Sequence, residues 1–174
     1  MTSPNPPDCS QPFAEPLSDE GSDKPQNPSL RDELLKSKAN PLRILVVEDH
    51  ELARKTICDL LRSETGFEVI CEAANGIEGA HKAEKHQPDV VVLDVTMPTL
   101  GGIEAAVRIR RVAPKARIVF LSQHNSDKLA QAALATGAHG YVLKSAAGTD
   151  LIRAIRSAVA GKKFMSKLAS WGER

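Results

Sequence analysis

Hydrophobic and polar positions follow two different periods from residue 43 onwards. Five short runs of mostly apolar residues are typical of β-strands, namely RILVV (43–47), FEVICEA (67–73), VVVLD (90–94), RIVFLS (117–122) and GYVLK (140–144). After the first run, apolar residues recur at helical spacing, at Ala53, Ile57, Leu60 and Leu61. Strand and helix patterns therefore alternate through this region.

This alternation predicts an α/β fold, a doubly wound five-stranded parallel sheet with helices on both faces. Parallel strands need crossover connections, and further helix patterns over 76–86, 102–112 and 126–137 supply them. A fifth helix pattern carries an apolar stripe that includes Leu151 and Ile155 and stops at Gly161. The first and third strands are almost continuously apolar, which indicates central strands covered on both faces.

The first 40 residues differ from the rest in composition. Eight of the 11 prolines fall at or before Pro41, and residues 1–40 carry seven acidic against four basic side chains. Such a segment has too little apolar surface to offset the entropy of ordering it, so we predict a disordered N-terminal extension over 1–40. The folded domain is predicted over 41–162, and 163–174 as a short C-terminal tail without an output domain.

The overall charge and the cysteines do not indicate a particular partner, metal site or disulfide. The 23 basic and 22 acidic residues leave a net charge of +1, which gives no field strong enough to indicate nucleic acid or a membrane surface as a partner. Cys9, Cys58 and Cys71 form no metal-binding or disulfide pattern. With no leader and no apolar run long enough to span a bilayer, we expect a cytoplasmic protein without membrane contact.

Polar residues follow the predicted strands at their carboxyl ends. Glu48 and Asp49 follow the first strand, Asp94 ends the third, Ser122 the fourth and Lys144 the fifth. These ends meet at one edge of an open α/β sheet, where sites form. Clustered carboxylates repel one another, and a hard cation such as Mg²⁺ would relieve that repulsion. Taken singly, Asp49 is equally explained as a helix N-cap, Ser122 as a loop hydroxyl and Lys144 as a surface charge, but their joint placement favours a site.

The motifs VVEDH, LDVTMP, FLSQH and GYVLK occur in this order, and with them the stretch from about Leu42 to Gly161 resembles a response-regulator receiver domain of two-component signalling. This family has a flavodoxin-like receiver fold. The segments EDHELAR, LSQHNSD and GAHGYVLKSA are similar to receivers that often precede a helix-turn-helix output domain. The resemblance implies that Asp94 is the phosphoacceptor, taking a phosphoryl group from a sensor histidine kinase or a phosphotransfer protein.

The resemblance also implies roles for the neighbouring residues. The Mg²⁺ ligands would be Glu48, Asp49, Asp94 and the backbone carbonyl of Thr96. Ser122 and Lys144 would bind the phosphoryl group, Tyr141 would be the aromatic switch, and Thr96 and His124 would tune the phosphoryl lifetime.

Two positions depart from the family pattern. The acidic pair begins with Glu48 in place of an aspartate, a variation that should preserve metal binding. Ser145 stands where many receivers have a proline after a cis peptide bond. A cis bond before a non-proline residue costs far more, so the geometry of the Lys144–Ser145 peptide is left open.

The implied function is signalling without enzymatic turnover, limited to Mg²⁺-dependent self-phosphorylation and autodephosphorylation. Phosphorylation would switch a protein-interaction face for an unknown output protein or for self-association, and this chain alone would not bind nucleic acid. One alternative is a truncated DNA-binding transcriptional regulator, because the 13 residues after Gly161 are too few for a helix-turn-helix domain. A less favoured alternative is an aspartate-nucleophile phosphatase, which would need a second catalytic carboxylate where Thr96 stands.

Overall fold

The hydrophobic runs form the strands of one sheet in the computed structural model, which describes residues 40–167. The strands are β1 (Leu42–Val47), β2 (Phe67–Ala73), β3 (Val90–Asp94), β4 (Arg117–Ser122), β5 (Gly140–Leu143) and β6 (Phe164–Met165). The helices are α1 (Glu51–Arg62), α2 (Gly76–His86), α3 (Gly102–Val112), α4 (Asp127–Ala135) and α5 (Ala147–Val159), and a 3-10 turn over Lys144–Ala146 precedes α5. All five predicted strands and all five predicted helices are present.

Part of the predicted domain organisation lies outside the described residues. This applies to the predicted disordered extension, except for residue 40, and to the predicted C-terminal tail beyond residue 167. Between residues 40 and 167, no helix is both long enough and apolar enough to cross a membrane.

The sheet has the strand order β2-β1-β3-β4-β5-β6, and every neighbouring pair is parallel. The predicted doubly wound parallel fold is therefore confirmed, and β1 and β3 are central as expected. The chain moves from β1 to β2 on one side and then returns to place β3 on the other side of β1. Such a reversal opens a crevice at the carboxyl ends of the strands.

Alternating side chains of the strands supply two cores, one on each face. In β1, Leu45 and Val47 belong to the core shared with α2, α3 and α4, whereas Ile44 and Val46 belong to the core shared with α1 and α5. Successive residues of a strand point to opposite faces, so a continuously apolar strand fills both cores. This double burial holds β1 and β3 rigidly in the middle of the sheet.

The sheet has six strands, one more than the pattern predicted. The additional strand, Phe164–Met165, lies in the segment predicted as a tail and pairs with β5. The Ser166 backbone N–H donates to the Tyr141 carbonyl at 2.9 Å, and the Ser166 hydroxyl donates to the Asp150 carboxylate at 2.6 Å. A two-residue strand is too short to produce a period in the sequence, so only its contacts reveal it.

Helix α3 begins directly against the end of β3. The Gly102 N–H donates to the Val95 carbonyl at 2.9 Å. A Cβ atom at Gly102 would lie 1.9 Å from the Asp94 carbonyl oxygen and 2.8 Å from the Val95 Cα. The absence of a side chain at this position therefore lets the helix approach the backbone that carries Asp94.

We expect Gly102→Ala to lower the free energy of unfolding by about 2–3 kcal/mol, because the methyl group would collide with backbone that cannot move away cheaply. Urea denaturation measures this change. Gly148→Ala on α5 is the matched control, since no atom lies within 4 Å of its added Cβ, and a helical glycine replaced by alanine gains roughly 0.5 kcal/mol. Equal stability of the two variants would contradict the packing described here.

Candidate functional site

Three carboxylates meet at the carboxyl ends of β1 and β3. These strands are neighbours, with Val47 opposite Leu93, so the residues that follow them emerge side by side. One oxygen from each of Glu48, Asp49 and Asp94 lies within 4.8 Å of the others. Glu48 and Asp94 are only 1% and 2% exposed, whereas Asp49 is exposed to solvent. The structure thus brings together the acidic residues that the sequence pattern singled out.

Lys144 reaches this cluster from the end of β5. Its Nζ lies 2.7 Å from Glu48 Oε2 and 3.1 Å from Asp94 Oδ2. The side chain is 17% exposed, so the ammonium is held in the crevice between two buried carboxylates. Strand β5 is parallel to β3 and is separated from it by β4, so its carboxyl end lies at the same edge of the sheet. Lys144 follows that end and extends to the cluster.

Burial dominates the electrostatics of the cluster. Burial raises the pKa of Asp94 and of Glu48, and the nearby Lys144 only partly opposes this effect. For Lys144 itself, burial lowers the pKa, but the close approach and negative charge of Glu48 and Asp94 outweigh it and raise the pKa overall. Three carboxylates meet one ammonium here, so with the carboxylates ionised the site carries an excess of negative charge.

The donor set fits a hard divalent cation. It consists of carboxylate oxygens, the ligands that Mg²⁺ and Ca²⁺ prefer. Within residues 40–167, Glu48 Oε2 is buried and has no hydrogen bond of good geometry, although Lys144 lies close by. Thr96 is exposed beside the cluster, and its N–H donates to Asp94 Oδ1 at 3.3 Å. A buried acceptor and an unbalanced negative charge are what a bound cation would satisfy.

Three other predicted site residues form a second group beside the carboxylates. The Ser122 hydroxyl oxygen accepts a hydrogen bond from the His124 N–H at 3.0 Å, and the Tyr141 hydroxyl donates to the His124 carbonyl at 3.0 Å. Ser122 and Tyr141 are fully buried, while the His124 side chain is exposed. Burial raises the pKa of Tyr141. The backbone of the β4–α4 loop thus joins the predicted hydroxyl and aromatic switch residues.

The structure answers two questions that the sequence left open. All peptide bonds from residue 40 to residue 167 are trans, including Lys144–Ser145. The N-cap of α1 is His50, whose Nδ1 accepts from the Ala53 N–H at 3.4 Å. Because His50 caps the helix, the N-cap explanation for Asp49 is wrong, and its carboxylate stays with the acidic cluster.

Sequence reasoning missed Arg54. Its Nη1 donates to the Glu48 carbonyl at 2.8 Å, and its Nε lies 3.6 Å from the Glu72 carboxylate. The available signal was the distance along the chain, because Arg54 falls in the first turns of the helix that follows Glu48. Its partner Glu72 lies on β2, which follows this helix in the chain, so no local sequence pattern connects the two residues.

We expect Lys144→Met to lower the free energy of unfolding of the metal-free protein by about 3 kcal/mol, because it leaves two buried carboxylates without their cation. Chemical denaturation in the presence of EDTA measures this. Lys82→Met is the control: Lys82 forms a more exposed ion pair with Glu78 at 2.6 Å and donates to the Glu72 carbonyl, contacts that should together contribute about 1 kcal/mol. A similar small loss in both variants would mean that the buried charges are compensated in another way.

Comparison with known proteins adds to this geometry. The chain is 37% identical over 125 residues to the response regulator GacA of Pseudomonas viridiflava, covering 72% of this chain and 58% of the relative. It is 34% identical over 131 residues to the nitrate/nitrite response regulator protein NarL of Escherichia coli strain K12, covering 75% of this chain and 61% of the relative. The chain thus spans about three-fifths of the length of these relatives.

Solved structures agree with the sequence relatives. A two-component response regulator of the LuxR family from Aurantimonas sp. SI85-9A1 superposes with a TM-score of 0.70 and 37% identity, over 73% of this chain and 91% of that chain. The isolated REC domain of RcsB from Salmonella enterica serovar Typhimurium gives a TM-score of 0.69 and 27% identity, over 75% and 97%. The model of the response regulator receiver domain matches residues 44–156. With the acidic crevice and the parallel sheet, this match establishes that the chain belongs to the response regulator receiver domain family.

Proposed function

We propose that this receiver accepts a phosphoryl group on Asp94 from the phosphohistidine of a sensor histidine kinase or a phosphotransfer protein, in the cytoplasm and with Mg²⁺. The observation that carries the proposal is the placement of Asp94, a buried carboxylate with Lys144 Nζ at 3.1 Å and two further carboxylates beside it. A strand that is buried along its whole length ends in a charge, and a nucleophile at the open crevice accounts for that charge.

The transfer would form a bond between an Asp94 carboxylate oxygen and phosphorus while the phosphorus–nitrogen bond of the donor histidine breaks. Glu48, Asp49, Asp94 and the Thr96 carbonyl would hold Mg²⁺, which when bound neutralises charge on the phosphoryl oxygens. Lys144 would exchange its contact with the Asp94 carboxylate for one with the phosphoryl group. The Lys144 ammonium would therefore stay near the same place, while the negative charge that it contacts moves from the Asp94 carboxylate to the phosphoryl oxygens.

Ser122 is suited to bind the phosphoryl group. Its hydroxyl oxygen accepts from the His124 N–H, while its own proton makes a long contact of 3.4 Å with the His124 carbonyl and lies near the Tyr141 hydroxyl. This distance exceeds that of an ordinary O–H···O hydrogen bond, so the proton is available to a stronger acceptor. A phosphoryl oxygen would be such an acceptor. Thr96 and His124 are exposed at the edge of the crevice, where they would control water access and so the phosphoryl lifetime.

Phosphorylation of Asp94 would be a signalling event without substrate turnover. A phosphatase of the aspartate-nucleophile class needs a nearby carboxylic acid to protonate its leaving group, and Thr96 offers only a hydroxyl at that position. A DNA-binding regulator is the second candidate, because the relatives are longer than this chain. In that case the receiver chemistry would be the same, and the output domain would be additional to these 174 residues.

We expect acetyl phosphate or phosphoramidate with Mg²⁺ to add one phosphoryl group to the protein, and Asp94→Asn to abolish the addition because an amide oxygen is a poor nucleophile. Intact-mass spectrometry measures the gain. Asp89→Asn is the matched control: Asp89 is an exposed aspartate at the opposite end of β3, and this variant should phosphorylate normally. Equal uptake by wild type and Asp94→Asn would disprove the assignment of the phosphoacceptor.

We further propose that phosphorylation changes the face formed by α4, β5 and α5, which then binds an output protein or a second copy of the chain. Tyr141 supports this view, because its hydroxyl donates to His124 in the loop that follows Ser122 and its strand pairs with β6. Movement of Ser122 toward a phosphoryl group would pull on the His124 backbone and so on Tyr141. The hydroxyl of Tyr141 is then the link between phosphorylation and the outer face.

Tyr141→Phe removes this link with little loss of volume, whereas Tyr141→Ala would leave a large cavity at a fully buried position. We expect Tyr141→Phe to be phosphorylated as wild type but to show a smaller phosphorylation-dependent change in self-association or partner binding. Sedimentation velocity and pull-down of phosphorylated and unphosphorylated protein measure the change. A full response in the variant would show that the Tyr141 hydroxyl takes no part in output.

A further inference from the structure

The main chain of Glu48 is fixed on both sides. Its N–H donates to the Ala73 carbonyl at the end of β2 at 3.0 Å, and its carbonyl accepts from Arg54 Nη1 at 2.8 Å. The first bond continues the pairing of β1 with β2. The second bond is supplied by a side chain, so a substitution removes it without disturbing the sheet.

Arg54 is itself held in place by Glu72. The Arg54 Nε lies 3.6 Å from Glu72 Oε2, and the Arg54 side chain is only 18% exposed. Glu72 lies opposite Val46 in the β1–β2 register, next to the point where β1 ends. The Glu72 carboxylate also pairs with Arg62 Nη2 at 2.9 Å. One carboxylate thus holds two arginines, of which Arg54 contacts the acidic loop.

The Glu48 carbonyl belongs to the peptide unit that joins Glu48 to Asp49. This unit is planar, so holding its oxygen also sets the direction in which the Asp49 residue leaves the strand. In the part of the chain that the structure describes, no hydrogen bond or ion pair holds the Asp49 carboxylate. The direction of that carboxylate therefore depends on its backbone, and the side-chain contact that holds the peptide unit before Asp49 comes from Arg54.

We propose that Arg54, held by Glu72, is a positioning residue for the divalent cation, because it sets the geometry between the Glu48 and Asp49 carboxylates. The inference rests on the metal site of the proposed function and adds a residue that does not touch the metal. Groups that orient metal ligands from behind commonly change metal affinity by about tenfold or more when they are removed.

An electrostatic role and a positioning role for Arg54 predict opposite changes in Mg²⁺ affinity for the same substitution. By electrostatics alone, removing the Arg54 guanidinium takes a positive charge away from the neighbourhood of a dication, so Arg54→Met should strengthen Mg²⁺ binding. By positioning, the same variant should weaken binding, because the peptide unit of Glu48 and Asp49 loses its anchor. The direction of the change therefore distinguishes the two effects.

The test is Mg²⁺ affinity of the full 174-residue chain, measured by isothermal titration calorimetry with magnesium chloride. We expect Arg54→Met to raise the Kd about tenfold. Arg62→Met is the matched control, since Arg62 pairs with the same Glu72 but makes no contact with Glu48, and its Kd should stay near that of wild type. Arg54→Lys keeps the charge but cannot make both contacts of the guanidinium, so its Kd should also rise.

Unfolding in EDTA separates this effect from a general loss of stability. Arg54→Met and Arg62→Met both lose an ion pair to Glu72, but only Arg54→Met should also change the Mg²⁺ Kd. Unchanged or tighter Mg²⁺ binding by both Arg54 variants, with normal binding by wild type, would overturn the positioning role alone. Absence of Mg²⁺ binding by wild type, or unchanged binding by Asp49→Ala, would overturn the proposed metal site and this inference with it.

Discussion

The contact of Lys144 with two buried carboxylates is the interaction on which the rest of the site depends. Burying Glu48 and Asp94 removes them from water, and their pKa values rise because the protein returns only part of that solvation. The ammonium of Lys144 lowers the cost of burying the two carboxylates, but it does not neutralise the charge of both. A site whose negative charge is only partly compensated keeps an affinity for further positive charge, which the proposed Mg²⁺ site requires.

The sheet provides the rigidity that such a cluster needs. Carboxylates that repel one another would separate on flexible loops, but β1 and β3 are packed on both faces and cannot drift apart. Helix α3 presses against the backbone of Asp94 through Gly102, and Arg54 holds the carbonyl of Glu48. The crevice is therefore supported from the sheet, from α3 and from α1 at once. The stability of the fold offsets the strain of holding like charges together.

The second group of residues connects this crevice to the outer face. The backbone of His124 bonds to both Ser122 and Tyr141, so a loop of few residues separates the acidic site from β5. Strand β6 continues the sheet beyond β5, and the Ser166 N–H donates to the carbonyl of Tyr141 itself. Any movement of the Tyr141 backbone would thus be transmitted to the segment that follows α5. The proposed switch would therefore act through a short chain of neighbouring hydrogen bonds and would need no long-range rearrangement.

Much of this protein is determined by sequence patterns that act locally. The apolar runs and helical stripes were sufficient to predict five strands and all five helices, because periodicity indicates which faces of an element are buried. Their alternation was sufficient to predict that the strands are parallel. Gly161, where the last helix pattern was predicted to stop, lies just beyond α5 and has a positive φ. The convergence of Glu48, Asp49, Asp94 and Lys144 followed from placing each at a strand end.

Tertiary structure alone decided the features that join distant segments. The two-residue strand β6 exists because α5 returns the chain beside β5, and no period marks it. The N-cap of α1 went to His50 rather than Asp49, since the acidic residue faces the crevice. The bonds from Arg54 to Glu48 and Glu72 depend on how α1 lies across β1 and β2. Local sequence encodes which face of an element is buried, whereas the partner of a polar side chain is set by the packing of whole elements in three dimensions.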